Sequence, residues 1–173
     1  MTMAAFTAHR IQDWANDGAL LTPPPAVSHR RATHRLETML RKACPPEFTV
    51  LAVGLGVDCG DGRTYVPDLL VTPTTAIEGE GDTVPAADVL IAVEVMSLSN
   101  PLPGLLLRRH DYGAAGIPQL WILDARSQTL TVHTDPITGP QADGYLTTTV
   151  ATATGPFATE VPFAMTIDPS QIR

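Results

Sequence analysis

The chain has 173 residues, of which 44% are hydrophobic and 17% charged. This composition indicates one folded domain over residues 1–173 and excludes a disordered chain. A formal net charge of −7 argues against a protein that coats nucleic acid through overall basicity. The sequence contains no apolar run of the roughly 18 residues that a membrane helix needs and no signal-peptide pattern, so we expect a cytoplasmic protein without membrane association.

The N-terminal region predicts a short helix, a short strand and a longer helix. Apolar residues at Phe6, Ile11 and Trp14 indicate an amphipathic helix within residues 4–20, and residues 19–22 follow as a strand. Three prolines then separate these elements from the next one, because proline cannot continue a helix interior.

The longer helix runs from an N-cap at Ser28 to about Ala43. One side of it is apolar with the helix period, and the rest carries five cations against the single acid Glu37: Arg30, Arg31, Arg35, Arg41 and Lys42. This basic side is compatible with a polyanionic substrate and is equally typical of a solvated helix surface. His29, at the start of the helix, could approach a site but is expected to be solvated.

Alternating and β-branched residues predict the central strands. Residues 48–57 and 65–71 are two strands joined by a glycine-containing turn, and residues 73–87 are a loop. Residues 88–96 form a buried central strand.

A helix over residues 102–115, with Gly116 as its C-terminal cap, leads to a buried strand over residues 119–124. A helix between two strands favours a parallel crossover. A hairpin and a last strand follow, over residues 130–134, 145–150 and 160–165. The fold class is therefore α/β, with a mixed sheet and a C-terminal hairpin.

Two apolar runs within these strands, residues 66–70 and 91–96, each contain one carboxylate, Asp68 and Glu94. Burying an acid costs free energy unless something compensates it, and a divalent cation bound by both side chains would do so. Two alternatives remain open: Asp68 could cap backbone amides after Pro67, and Glu94 could form a buried salt bridge with Arg108. Arg108 could instead pair with Asp111 three residues further along the helix.

The order of four segments resembles the Uma2 family, restriction-endonuclease-like proteins of the PD-(D/E)xK nuclease superfamily. These segments are Pro67-Asp68, residues 93–97 (VEVMS), residues 111–118 (DYGAAGIP) and residues 120–124 (LWILD). Residues 17–25 followed by His29, and residues 132–133 with 144–145, are also similar, so the resemblance covers about residues 14–165. It implies a restriction-endonuclease-like mixed sheet flanked by helices.

The resemblance also implies a metal-dependent endonuclease that hydrolyses phosphodiester bonds in DNA. Asp68 and Glu94 would bind Mg²⁺ or Mn²⁺, with the Val95 backbone carbonyl as a third ligand, and the metal would activate a water molecule. Because cutting both strands commonly uses two copies, a homodimer is compatible with this activity.

The sequence departs from the family pattern at the lysine. Met96 occupies the superfamily position two residues after the second acid, and Arg108 occupies the helix position that Uma2-like proteins use, one turn before Tyr112. Arginine can bind a phosphate with two hydrogen bonds but is not a general base, because its pKa exceeds about 12. Gly104 stands where the family commonly has an acid.

These departures leave a second interpretation open, a catalytically degenerate nuclease fold that binds nucleic acid or a partner protein. The candidate catalytic residues are Asp68, Glu94, Arg108 and Tyr112, and the tyrosine hydroxyl is expected to rest on a carboxylate.

Overall fold

The computed structural model describes residues 10–15, 18–22, 26–52, 54–96, 102–138 and 144–172. The helices are α1 (Val27–Ala43) and α2 (Leu102–Ala114), and the strands are β1 (Arg10–Ala15), β2 (Gly18–Thr22), β3 (Phe48–Ala52), β4 (Gly56–Asp58), β5 (Thr64–Tyr65), β6 (Leu69–Pro73), β7 (Thr83–Pro85), β8 (Ile91–Val95), β9 (Gln119–Asp124), β10 (Thr129–Pro136), β11 (Tyr145–Ala151), β12 (Phe157–Thr159) and β13 (Met165–Ile167). Neither of these helices is long and apolar enough to cross a membrane.

The main layer is a six-stranded mixed sheet in the order β11-β10-β9-β8-β6-β3. β8 and β9 are parallel and are connected through α2, whereas the other neighbours are antiparallel. The predicted α/β class, the parallel crossover and the β10–β11 hairpin are therefore confirmed.

The two helices lie against opposite faces of this sheet. Leu36 of α1 packs in one core cluster with Val93 of β8, and Tyr112 of α2 packs in a second cluster with Ala92. Neighbouring residues of a strand point to opposite faces, so β8 is covered on both sides, and all five of its residues are buried. A side chain on β8 is therefore placed beside one helix or the other.

A smaller sheet has the order β2-β1-β5-β4-β7. The predicted helix over residues 4–20 is wrong where the structure describes it, because residues 10–15 are the strand β1; residues 4–9 lie outside the described part. Ala15 pairs with Gly18 at the end of a hairpin, and β1 also pairs with β5. These non-local partners override a weak local helix period.

Two predicted strands are each divided between the two sheets. Residues 48–57 form β3 and β4, with a bend at Gly54, whose φ of 103° favours glycine. Residues 65–71 leave the small sheet after Tyr65 and enter the main sheet at Leu69. Pro67 lies in this transition and cannot donate a backbone hydrogen bond to a ladder. The transition places Asp68 where one sheet passes into the other.

Other boundaries also differ from expectation. Ala26 rather than Ser28 is the N-cap of α1. The predicted loop over residues 73–87 contains β7, which pairs with β4. The predicted strand over residues 160–165 is wrong: most of it connects β12 to β13, and its Pro162 has no amide hydrogen for a ladder.

Candidate functional site

Asp68 lies at the entrance to β6 and is only 2% exposed. Its backbone N–H donates to the Val93 carbonyl at 2.9 Å, and its Oδ2 accepts the Val95 N–H at 2.8 Å. The carboxylate is thus held against β8 within one residue of Glu94. The Asp68 side chain does cap a backbone amide, but that amide belongs to the neighbouring strand.

Glu94 is 1% exposed and is held by two residues of α2. Arg108 Nη1 donates to Glu94 Oε2 at 2.7 Å, and the Tyr112 hydroxyl donates to Glu94 Oε1 at 3.0 Å. Arg108 and Tyr112 are four residues apart and therefore project from the same side of the helix. The salt bridge that the sequence left open is present, and it is buried on both sides, since Arg108 is 3% exposed.

Asp111 is engaged by other partners than Arg108. Its carboxylate accepts hydrogen bonds from Arg63 Nη1 at 2.5 Å and from the Tyr65 hydroxyl, and His110 Nδ1 lies 2.9 Å away. Asp111 is 1% exposed, so these partners compensate a buried charge. The interpretation of Arg108 and Asp111 as an ion pair along the helix is therefore wrong.

The Tyr65 ring joins this group to the residues that hold Glu94. It meets the Tyr112 ring edge to face, with centroids 5.6 Å apart, and the Arg108 guanidinium carbon lies 5.8 Å from its centroid, within cation–π range. Sequence reasoning did not single out Tyr65 or Arg63. The available signal was their position just before Pro67-Asp68, but only the fold brings them to α2.

His29 also lies in a different environment from the one that the sequence predicts. It is 7% exposed, and its Nε2 lies 3.2 Å from Asp68 Oδ2. Because α1 begins at Val27, His29 shares a helix face with buried Ala32 and Leu36. The expectation of a solvated histidine is therefore wrong.

The environment of Tyr112 favours its neutral form. Burial raises the pKa of the Tyr112 hydroxyl well above its usual value, and the neighbouring Glu94 carboxylate adds to the rise while Arg108 opposes it. The hydroxyl consequently serves as a hydrogen-bond donor to Glu94 over the ordinary pH range.

The donors at Asp68 and Glu94 fit a hard divalent cation in kind. Carboxylate and backbone carbonyl oxygens are the ligands that Mg²⁺ prefers, and a carboxylate can accept several bonds at once. Arg108 supplies a permanent positive charge to Glu94, and His29 contacts Asp68. Among the described residues, however, no group of three or more His, Cys, Asp or Glu side chains could hold a metal ion, so further ligands would have to be backbone or water oxygens.

The fold places the chain in the class of restriction-endonuclease-like α/β proteins. The model of the Uma2 family, described as "Putative restriction endonuclease", matches residues 7–163, and the chain belongs to this family. The family resemblance of the sequence is thereby confirmed. No curated protein is a significant match.

A similar solved structure comes from Anabaena variabilis and is described as a "putative nuclease belonging to DUF820". The TM-score is 0.61 at 16% identity, and the match covers 80% of this chain and 75% of that chain. A likeness at this identity shows a common fold.

Replacing Arg108 by methionine should destabilise the protein strongly, because Glu94 loses its buried counter-charge. We expect the free energy of unfolding to fall by about 3–5 kcal/mol, as for other broken buried pairs, measured by urea denaturation. Arg41→Met is the matched control: Arg41 pairs with Glu37 at 2.8 Å but is 52% exposed, so its loss should cost less than about 1 kcal/mol. The double change Arg108→Met/Glu94→Gln should recover part of the stability. Equal losses of stability in Arg108→Met and Arg41→Met would contradict a structural role for the Arg108–Glu94 pair.

The raised pKa of Tyr112 predicts a specific alkaline instability. The unfolded chain ionises its tyrosines near pH 10 whereas folded Tyr112 stays protonated, so stability is fully present below about pH 10 and declines above it, by up to about 1.4 kcal/mol per pH unit for this residue. Tyr112→Phe should decline less steeply between pH 9.5 and 11 in urea titrations. An unchanged slope in that variant, or folded-state ionisation of Tyr112 near pH 10 seen at 295 nm, would contradict the assignment.

Proposed function

We propose that this protein is a divalent-metal-dependent endonuclease that hydrolyses phosphodiester bonds in DNA, with Asp68, Glu94 and the Val95 carbonyl binding Mg²⁺ or Mn²⁺. The observation that carries the proposal is that two buried carboxylates lie on neighbouring strands, Glu94 on β8 and Asp68 at the entrance to β6, where it accepts the Val95 N–H, in a chain of the Uma2 family. The proposal places the protein in the cytoplasm, acting as a homodimer where both strands are cut.

A bound metal ion would supply a water molecule of lowered pKa and neutralise charge on the scissile phosphate. The residues of the chain have supporting tasks. The Val95 N–H and His29 hold Asp68, and Tyr112 and Arg108 hold Glu94. Such outer contacts fix the orientation of metal-ligating carboxylates.

Arg108 stands in place of the usual lysine and contributes positive charge only. Its guanidinium can bind a phosphate oxygen pair, but it cannot accept a proton from water because its pKa exceeds about 12. We therefore propose that cleavage is slower than with lysine at this position.

A second candidate is a catalytically degenerate nuclease fold that binds nucleic acid or a partner protein. It is favoured by the bonding of Glu94, whose two oxygens already accept hydrogen bonds from Arg108 and Tyr112. A carboxylate compensated in this way is stable without a cation. Cation binding separates the two candidates, because a degenerate module needs no affinity for Mn²⁺.

Calorimetric titration with Mn²⁺ tests the proposed ligands directly. We expect wild type to bind and both Asp68→Asn and Glu94→Gln to lose binding, because each change removes an anionic ligand. Glu80→Gln, an exposed acid, is the control and should bind like wild type. In a plasmid assay Arg108→Lys should cleave faster than wild type. Absence of wild-type binding at millimolar metal would rule out the metal-dependent activity and leave the second candidate.

His29 should set the metal affinity through Asp68. Loss of such a supporting contact typically weakens metal binding by about 10–100-fold, so we expect that range for His29→Ala in the same calorimetry. His34→Ala is the matched control, since His34 lies on the same helix with 77% of its side chain exposed. Equal Mn²⁺ affinity in both variants, with both folded by circular dichroism, would show that His29 only fills space.

A further inference from the structure

We infer that the N-terminal half of the exposed side of α1 binds the phosphate backbone of a nucleic acid strand lying at the candidate site. This surface, the α1 cationic face, consists of Arg30, Arg31 and Arg35. The inference rests on the proposed function, for which it names a second contact surface with the substrate, away from the carboxylates.

The helix period separates α1 into two sides. The buried residues His29, Ala32, Thr33, Leu36 and Leu40 fall on one side at 3.6 residues per turn. All five cations of the helix are exposed and fall within an arc of about 140° on the other side. The positive charge of α1 is thus a continuous stripe that faces solvent.

The charges of this stripe are not equivalent along its length. Near its C-terminal end, Arg41 is paired with Glu37, and Lys42, together with Arg35, lines a groove that also contains Glu160 and Asp168. At the N-terminal end the side chains of Arg30 and Arg31 form no hydrogen bond or ion pair with the residues that the structure describes. Uncompensated positive charge is therefore concentrated in the first two turns.

Arg35 extends this region by one turn. Its Nη1 donates to the Gln171 carbonyl at 3.2 Å, a neutral acceptor that leaves the charge of the guanidinium in place. The sole lysine of the chain, Lys42, lies at the opposite end of the helix. The three cations of the face are all arginines, whose planar fork matches a phosphate better than an ammonium does.

The α1 cationic face begins at the turn of the helix whose buried side contacts the candidate site. Arg30 directly follows His29, whose ring contacts Asp68, so the first cation is one residue away from that contact along the helix. A nucleic acid strand carries one negative charge per 3.4 Å or so of helix axis, and α1 rises by about 1.5 Å per residue. A strand with one phosphate at Asp68 would therefore have further phosphates within reach of the first two turns.

The overall charge of −7 means that the α1 cationic face differs in sign from the protein as a whole. A polyanion is repelled by most of such a protein and is attracted only where positive charge is exposed and unpaired. An acidic protein segment would be attracted to the same cations, but it lacks regularly spaced phosphates and would not need the face to adjoin the carboxylates.

The test compares two double variants that each remove two positive charges from exposed positions of the same helix. Arg30→Gln/Arg31→Gln alters the proposed face, and Arg41→Gln/Lys42→Gln alters the compensated end. Binding to a fluorescein-labelled duplex of about 30 base pairs is measured by anisotropy in EDTA, over roughly 50–200 mM salt. Thermal unfolding of both variants should match wild type, because all four side chains are exposed.

We expect the Arg30→Gln/Arg31→Gln variant to bind about tenfold more weakly at the lowest salt, with its logarithmic salt dependence reduced by roughly 2, since each lost phosphate contact contributes about 0.9. The control variant Arg41→Gln/Lys42→Gln should show less than half of this loss of affinity. Equal losses in the two variants would show a general charge effect and overturn the inference, as would wild-type binding that neither variant weakens. Wild type that binds polyglutamate but not DNA would overturn it in favour of a protein partner.

Mn²⁺ calorimetry on the same proteins keeps this result distinct from the proposed function. Arg30→Gln/Arg31→Gln should bind Mn²⁺ like wild type while binding DNA weakly. Wild type that binds DNA through this face but binds no Mn²⁺ would contradict the endonuclease and leave the inference standing. If wild type binds Mn²⁺ and cleaves DNA, and Arg30→Gln/Arg31→Gln binds DNA as tightly as wild type, the endonuclease is supported and the inference is overturned.

Discussion

The burial of Glu94 in the middle of the main sheet is the constraint on which the surrounding structure depends. A carboxylate that is 1% exposed is tolerated only with a matched partner, and Arg108 on α2 is that partner. Arg108 must in turn stay in place, which requires α2 to lie over β8. Tyr65 packs against the guanidinium, and Asp111 holds the Tyr65 hydroxyl, so one buried charge fixes a helix, a strand end and a second carboxylate.

Asp68 depends on a different constraint, the passage of the chain between two sheets. Pro67 cannot donate a backbone hydrogen bond at this point, and the Asp68 side chain accepts the Val95 N–H. His29 approaches from α1, whereas Arg108 approaches Glu94 from α2. The two carboxylates thus lie on neighbouring strands but are supported by helices on opposite faces of the sheet. This arrangement allows their surroundings to be altered separately, one through α1 and the other through α2.

The helix period of α1 places its packing residues and its cations on different sides of the helix. Its buried side carries Leu36 into the core and His29 onto Asp68, and its exposed side carries the arginines. A substrate held by the exposed side would be held by a rigid element that also contacts the candidate ligands, which is how a site gains positional accuracy.

The sequence by itself determined the α/β class, the parallel crossover through α2, the family, and the pairing options of Glu94, because these follow from local periodicity, from motif order and from the cost of a buried charge. It could not determine that residues 10–15 are a strand or that residues 65–71 are divided, since both depend on pairing with distant strands. Only the tertiary structure brought His29 to Asp68 and Tyr65 to Arg108. His29 and Asp68 are 39 positions apart in the sequence, and Tyr65 and Arg108 lie on separate elements. Local sequence patterns do not predict contacts between residues so far apart.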